Sequence, residues 1–180
     1  MIDKYKLILI RHAKTEYNKY GYFTGQRDID ILKDSLVDHL FDFNGIIYSS
    51  PLKRCKQTIE KICPELTESV IIDSRLTERC MGNFENKNKF QMQKQFPEYF
   101  INGRYDIFKT IPNGESFCEL YSRVFAFYSD KIAKTDNNVL ICGHNQNLKI
   151  LKAIFLKKEI TMDYWYKNNF ENGKLYVYKR

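Results

Sequence analysis

An arginine and a histidine, Arg11-His12, directly follow the apolar run Leu7-Ile8-Leu9-Ile10, and a second histidine, His144, follows an equivalent run, Val139-Leu140-Ile141-Cys142-Gly143. A neutral imidazole nitrogen is a good nucleophile near pH 7. A guanidinium is a planar fork that binds two oxygens of an anion at once. The pair therefore combines a nucleophile with an adjacent anion-binding group. Short continuous apolar runs bounded by turn signals read as buried parallel strands, and residues just past the carboxyl ends of such strands face the ligand crevice of an open α/β sheet. Two strands each deliver a histidine to that crevice, where the imidazoles can converge.

Three further segments carry polar residues in a distinctive order: Ser49-Ser50-Pro51-Leu52-Lys53-Arg54-Cys55-Lys56-Gln57-Thr58, Leu76-Thr77-Glu78-Arg79-Cys80-Met81-Gly82, and Pro112-Asn113-Gly114-Glu115-Ser116. With Arg11-His12-Ala13-Lys14-Thr15-Glu16-Tyr17-Asn18 ahead of them and Gly143-His144-Asn145 after, the chain resembles the histidine phosphatase (phosphoglycerate mutase-like) superfamily, and its small phosphatase branch in particular, over nearly its whole length. The resemblance implies a phosphatase that hydrolyses small phosphomonoesters through a phosphohistidine. His12 would be the nucleophile, and Glu78 would protonate the leaving oxygen. Arg11, Arg54 and His144 would surround the phosphate, His144 counting among the catalytic groups, with Asn18 as an uncharged donor. No metal and no cofactor is implied. Unaided phosphomonoester hydrolysis needs up to ~10²¹-fold acceleration, so several effects must combine. One preorganised oxyanion donor contributes ~2.7–4 kcal/mol, and a cluster of them carries much of the barrier reduction.

Taken singly, these residues have plainer readings. A lone histidine is usually a buried structural group, Arg54 in Leu52-Lys53-Arg54-Cys55 reads as a solvated helix-surface arginine, and Glu78 reads as an exposed loop glutamate. Motif order is what favours the catalytic readings. A general acid needs a raised pKa near neutrality, and Arg79 would lower it if its head group approached Glu78; adjacent residues in extended backbone often point apart. Several positions depart from the family pattern. Ala13 stands where glycine is usual, which predicts an ordinary backbone there. Lys14 replaces a frequent acidic residue, Tyr17 a tryptophan, and Thr24-Gly25 a glutamine-glycine, whereas Asp28 matches. Phe84-Glu85-Asn86 resembles a tryptophan-glutamate-glycine element only loosely.

The runner-up activity is a cofactor-dependent phosphoglycerate mutase-like phosphotransfer. Such mutases are longer and carry a basic insertion after the loop that holds the acid (the acid loop, here residues 76–82 around Glu78), whereas the segment from Asn83 to Asn113 has one arginine, Arg104. An inactive phosphate- or phosphoprotein-binding module is the remaining alternative. The expected partner is a small phosphorylated metabolite of open identity. The segment 98–115, with Tyr99, Phe100, Arg104, Tyr105, Phe108 and Lys109, is expected near the site mouth. Oligomeric state is left open.

These residues must be held by a regular frame. Strands are predicted over about 5–10, 45–49, 69–73, 138–142 and 174–179, and helices over about 51–63, 84–96, 116–134 and 144–157. Their alternation predicts a three-layer α/β/α sandwich, a mostly parallel sheet with helices on both faces, phosphoglycerate mutase-like in fold. The last strand alternates in polarity and is placed at an edge. Ser50-Pro51 reads as an N-cap with proline at the first helical position, and Ser116-Phe117-Cys118-Glu119 as a capping box. The stripe Phe117, Leu120, Tyr121, Val124, Phe125, Tyr128 and Ile132 reads as core.

At 180 residues the chain fits one domain, residues 1–180, with an ordinary 43% hydrophobic and 28% charged residues. No apolar stretch approaches the ~18 residues that span a bilayer, so no membrane association is expected. The first residues lack a signal-peptide pattern, and the odd set of five cysteines contains no C-x-x-C pair, so a cytoplasmic protein with reduced thiols is expected. The net charge of +7 comes from scattered lysines without interleaved stacking aromatics, so no nucleic-acid partner is expected. No metal site is expected either. His39 lacks an i+3 or i+4 histidine, and Asp34, Asp38 and Asp42 read as a solvated acidic helix face.

Overall fold

The apolar runs ahead of the two histidines lie side by side inside a five-stranded sheet in the computed structural model, which describes residues 6–40 and 42–179. In chain order the elements are β1 (Lys6–Arg11), α1 (Glu16–Tyr20), β2 (Ile46–Ser49), α2 (Lys53–Ile62), β3 (Ile71–Ile72), α3 (Lys89–Gln95), β4 (Phe100–Ile101), β5 (Arg104–Tyr105), α4 (Phe117–Phe127), β6 (Val139–Gly143), α5 (Asn145–Phe155), α6 (Met162–Lys167) and β7 (Leu175–Lys179). The sheet order is β3-β2-β6-β1-β7. Its first four strands run parallel, and β7 closes the edge antiparallel to β1. β4 and β5 form a separate small hairpin. The first residue of the first predicted strand, Tyr5, lies outside the described residues.

The continuous apolar character of β1 and β6 follows from burial on both faces, because successive side chains of a strand alternate between faces. Leu7 and Leu9 of β1 join Val139 and Ile141 of β6 in a core completed by Leu120, Val124 and Phe127 of α4 and Leu148 and Leu151 of α5. Ile8 and Ile10 join Ile47, Leu140 and Cys142 in a second core under Cys55, Ile59 and Ile62 of α2. Each such side chain contributes roughly 1.5–3 kcal/mol on burial, so the two central strands are anchored from above and below. A third cluster of Phe23, Met81, Phe84, Met92 and Ile111 ties the loops beyond the sheet's carboxyl edge.

Several expectations need correction. Leu52, and not Ser50, is the N-cap residue of α2, with helix beginning at Lys53. The Ser50 hydroxyl instead meets His144 Nε2 at 2.9 Å, and Asp28 Oδ1 accepts the Lys53 amide at 2.7 Å. The predicted helix over 84–96 shrinks to α3, because Asn88 supplies a side-chain cap to the amides of Phe90 and Gln91. The helix after Ser116 keeps its capping box but turns into a π-helical segment, Tyr128–Ile132, after Phe127. In its stripe Tyr121 and Phe125 are exposed and stack on each other, while Phe127 takes the buried position. Asp34, Asp38 and Asp42 lie in a non-helical segment, and Asp38 Oδ2 accepts the Leu175 amide of β7.

Candidate active site

Register alone brings the histidines together. Arg11 pairs with Gly143 across β1 and β6, and the His12 amide donates to the Gly143 carbonyl at 3.0 Å. The imidazole centroids then stand 5.2 Å apart. Asn147, one turn into α5, locks this junction: its Oδ1 accepts the His144 amide at 2.9 Å, and its Nδ2 donates to the Leu76 carbonyl at the base of the acid loop.

His12 is 3% exposed, and its Nδ1 lies 2.8 Å from the Ala13 carbonyl. A carbonyl only accepts, so Nδ1 carries the proton and Nε2 keeps the lone pair. Burial, then the Arg11 and Arg54 charges, push the His12 pKa well below its usual value. At neutral pH the ring is uncharged and nucleophilic. Ala13, as expected, is absent from the positions of positive φ; its amide is held by Thr58 Oγ1 at 2.8 Å.

Arg54 is no surface arginine. It is fully buried, and its guanidinium donates to the carbonyls of Arg27 at 2.6 Å and Gly25 at 2.9 Å and to His144 Nδ1 at 3.3 Å. Three of five N–H groups are thus used for orientation. Arg11 is held by Nη1 donating to the Phe170 carbonyl at 3.0 Å, and its buried Nε has no partner among the described residues. Asn18 Oδ1 accepts from the Thr15 amide at 3.2 Å, the Thr15 hydroxyl at 3.1 Å and Asn172 Nδ2 at 3.2 Å, leaving its amide nitrogen as the donor on the cleft side.

Five of the six residues singled out from the sequence, Arg11, His12, Asn18, Arg54 and Glu78, line one cleft of about 510 Å³. His144 does not reach its wall. It is fully buried behind His12 and Arg54, Nδ1 accepting from Arg54 and Nε2 donating to Ser50 at 2.9 Å. Burial and the Arg54 charge hold its pKa well below the usual value. In this arrangement His144 orients Arg54 and packs against His12.

Glu78 forms part of the cleft wall with its Oε1 accepting the Arg79 amide at 2.9 Å. Burial raises its pKa, against the opposing pull of that bond and of the Arg54, Arg11 and Arg123 charges. The Arg79 guanidinium points away. It is fully buried, donates to the carbonyls of Glu115 at 2.8 Å, Ile107 at 2.8 Å and Lys109 at 3.1 Å, and lies 5.5 Å from the Tyr105 ring centroid. The last motif supports the same loop from below: Glu115 accepts the Cys80 amide and forms an ion pair with Arg123 at 2.6 Å. Replacing Arg79 by Met would leave three carbonyls without their donor. We expect a loss of roughly 2–4 kcal/mol in denaturant unfolding, with faster amide exchange across 105–115; wild-type stability would contradict this anchoring role.

Sequence reasoning missed two kinds of residue. Glu85 links the loops on either side of the cleft, its Oε1 accepting the amides of Gln26 at 2.9 Å and Met81 at 3.0 Å. Gly25, at φ +52°, passes so close that an added Cβ would lie 1.9 Å from that oxygen, which explains a glycine after Thr24. Lys89 and Lys149 also line the cleft; a lysine inside the apolar run Leu148-Lys149-Ile150-Leu151 was the available signal.

A buried neutral histidine at a strand end, with two guanidiniums and a carboxyl group lining the same cleft, suits an α/β protein that handles phosphoryl groups. The chain belongs to the histidine phosphatase superfamily (branch 1), whose family model matches residues 7–180. It is 32% identical over 157 residues to a candidate phosphoserine phosphatase 2 of Hydrogenobacter thermophilus, covering 83% of this chain and 77% of that protein. It is 28% identical over 160 residues to a 2,3-bisphosphoglycerate-dependent phosphoglycerate mutase of Cytophaga hutchinsonii, covering 81% and 74%. Among solved structures, a candidate alpha-ribazole-5'-P phosphatase from Escherichia coli superposes with a TM-score of 0.80 at 20% identity, over 97% of this chain and 90% of that one. That likeness establishes the phosphoglycerate mutase-like fold, a mostly parallel sheet between helices. Phosphatases and phosphoglycerate mutases both stand among the relatives.

Proposed function

We propose that the protein hydrolyses small phosphomonoesters through a phosphohistidine at His12, without a metal or cofactor. The observation that carries this reading is the fixed tautomer of His12, Nδ1–H held by the Ala13 carbonyl, with Nε2 free beside two guanidiniums. Nε2 attacks phosphorus in line with the ester oxygen. As the P–N bond forms, the P–O bond breaks, and Glu78 gives its proton to the departing alkoxide. The Ala13 carbonyl stabilises the positive charge that the ring acquires. Glu78, now a carboxylate, takes a proton from an entering water, whose oxygen attacks phosphorus; the P–N bond breaks and its electron pair returns to Nε2. Arg11, Arg54 and Asn18 hold the equatorial oxygens through both steps, where preorganised donors lower the barrier most.

The substrate is read as a free metabolite, not as a nucleic acid or a membrane-borne group; among the described residues no helix is long and apolar enough to cross a membrane. Two measurements test the activity. Exhaustive dialysis against EDTA should leave the rate intact, and activity lost to chelation and restored by a divalent ion would refute the arginine-based account. A panel of phosphorylated metabolites should release inorganic phosphate. Transfer between the hydroxyls of phosphoglycerate, dependent on a bisphosphate primer and faster than phosphate release, would instead make the protein a mutase.

A further inference from the structure

The cleft carries charge that the hydrolytic chemistry does not use. Five basic side chains line it, Arg11, Arg54, Lys89, Arg104 and Lys149, against one carboxylate, Glu78. A phosphomonoester dianion matches Arg11 and Arg54, and Glu78 is uncharged when it acts as an acid. Three cations of the cleft, Lys89, Arg104 and Lys149, then remain. Two of them are held by aromatic groups of α6. Lys149 is 2% exposed, donates to the Trp165 carbonyl at 2.6 Å and lies 4.8 Å from the Trp165 ring centroid. Arg104, on β5 of the small hairpin, lies 4.8 Å from the Tyr166 ring centroid.

Placing an ammonium group in such a wall is unfavourable without a compensating anion. Burial, and then the nearby Arg11 charge, bring the Lys149 pKa down to about 7, so a second anion in the cleft would restore its full charge. Trp165 takes one of its three protons. A second anion in the cleft would accept from the others.

We propose that Lys149 and Arg104 form a subsite for a second anionic group on the leaving alcohol, so that the preferred substrates are phosphomonoesters bearing a carboxylate or a second phosphate. This rests on the phosphatase reading for the word substrate, but the subsite itself is a binding property and can be read without turnover. Trp165 and Tyr166 hold the two cations in place before the ligand arrives, which lowers the ordering cost of binding. The hydrocarbon between the two anionic groups would lie in the part of the cleft lined by Phe23, Phe100 and Tyr105.

The test uses non-hydrolysable phosphonates and titration calorimetry on the full chain. A series of ω-carboxyalkylphosphonates of two to five carbons is compared with the matching carboxamides, and α,ω-alkanediphosphonates with the monophosphonates. At one chain length the acid should bind at least about tenfold tighter than its amide, as a charge-assisted contact requires. Whichever series gives the larger preference identifies the second group as carboxylate or phosphate. Lys149→Met and Arg104→Gln should each reduce that preference about fivefold or more, while Lys149→Arg should retain it. Arg104 is exposed on its hairpin, so Arg104→Gln tests the subsite even where Lys149→Met fails to fold. Equal binding of acid and amide at every length, or a preference unchanged in both variants, would overturn the subsite. Neither result bears on phosphorylation of His12, which is read separately by labelling.

Discussion

His12→Ala protein should turn over no phosphomonoester, a loss of about 10⁴-fold or more, and should carry no covalent phosphate. The wild-type chain, quenched during turnover of a ³²P-labelled substrate, should carry label that is acid-labile and base-stable, as expected of a phosphoramidate. The expectation follows from geometry more than from residue type. His144 is also a buried, uncharged histidine, but both of its ring nitrogens are engaged, by Arg54 and by Ser50. His12 has one engaged nitrogen and one free, and it is the one on the cleft wall. Label persisting in His12→Ala would move the nucleophile elsewhere and sink the mechanism. His144→Ala should behave differently: it frees the Arg54 guanidinium at one point but leaves the nucleophile, so its phosphoenzyme should still form, only more slowly.

The frame was legible because its signals are local and strong. Leu7 to Ile10 and Val139 to Cys142 are apolar at every position, a pattern that two covered faces require, and each run ends at a histidine. The edge position of the last strand likewise followed from the alternation of Leu175, Val177 and their neighbours. What failed was periodicity without burial. Asp34, Asp38 and Asp42 recur every four residues, yet that segment is fixed by long-range bonds such as Asp38 to β7, so its conformation is set by tertiary structure. Ser50 has the chemistry of an N-cap, but its hydroxyl is taken by a histidine brought from 94 residues away. Arg54 was legible only through its motif, since nothing in Leu52-Lys53-Arg54-Cys55 distinguishes a guanidinium turned inward from one in solvent. The short helix α1 went unseen for a different reason: its one turn is held by the Thr15 cap, not by an apolar stripe.

Glu78→Gln should slow phosphoenzyme formation unequally, in proportion to the basicity of the leaving oxygen. An alkyl phosphate expels a strongly basic alkoxide and needs its proton, whereas p-nitrophenolate departs without one. General acid donation contributes ~10²–10⁴-fold, so single-turnover rates should fall by about that factor for the alkyl ester and far less for p-nitrophenyl phosphate. The pH profile adds an independent sign. The nucleophile must be deprotonated, and burial lowers the His12 pKa, so the acidic limb of kcat/KM lies below the usual histidine range. The acid must be protonated, and burial raises the Glu78 pKa, so activity toward the alkyl ester declines as pH rises through that raised value. Glu78→Gln cannot titrate, and the alkaline limb should vanish with it while the acidic limb stays. The side chain is nearly isosteric and its Oε1 can still accept the Arg79 amide, so the acid loop should keep its place. Equal losses on both esters with an unchanged profile would reassign Glu78 to positioning, and no loss on either would remove it from the reaction.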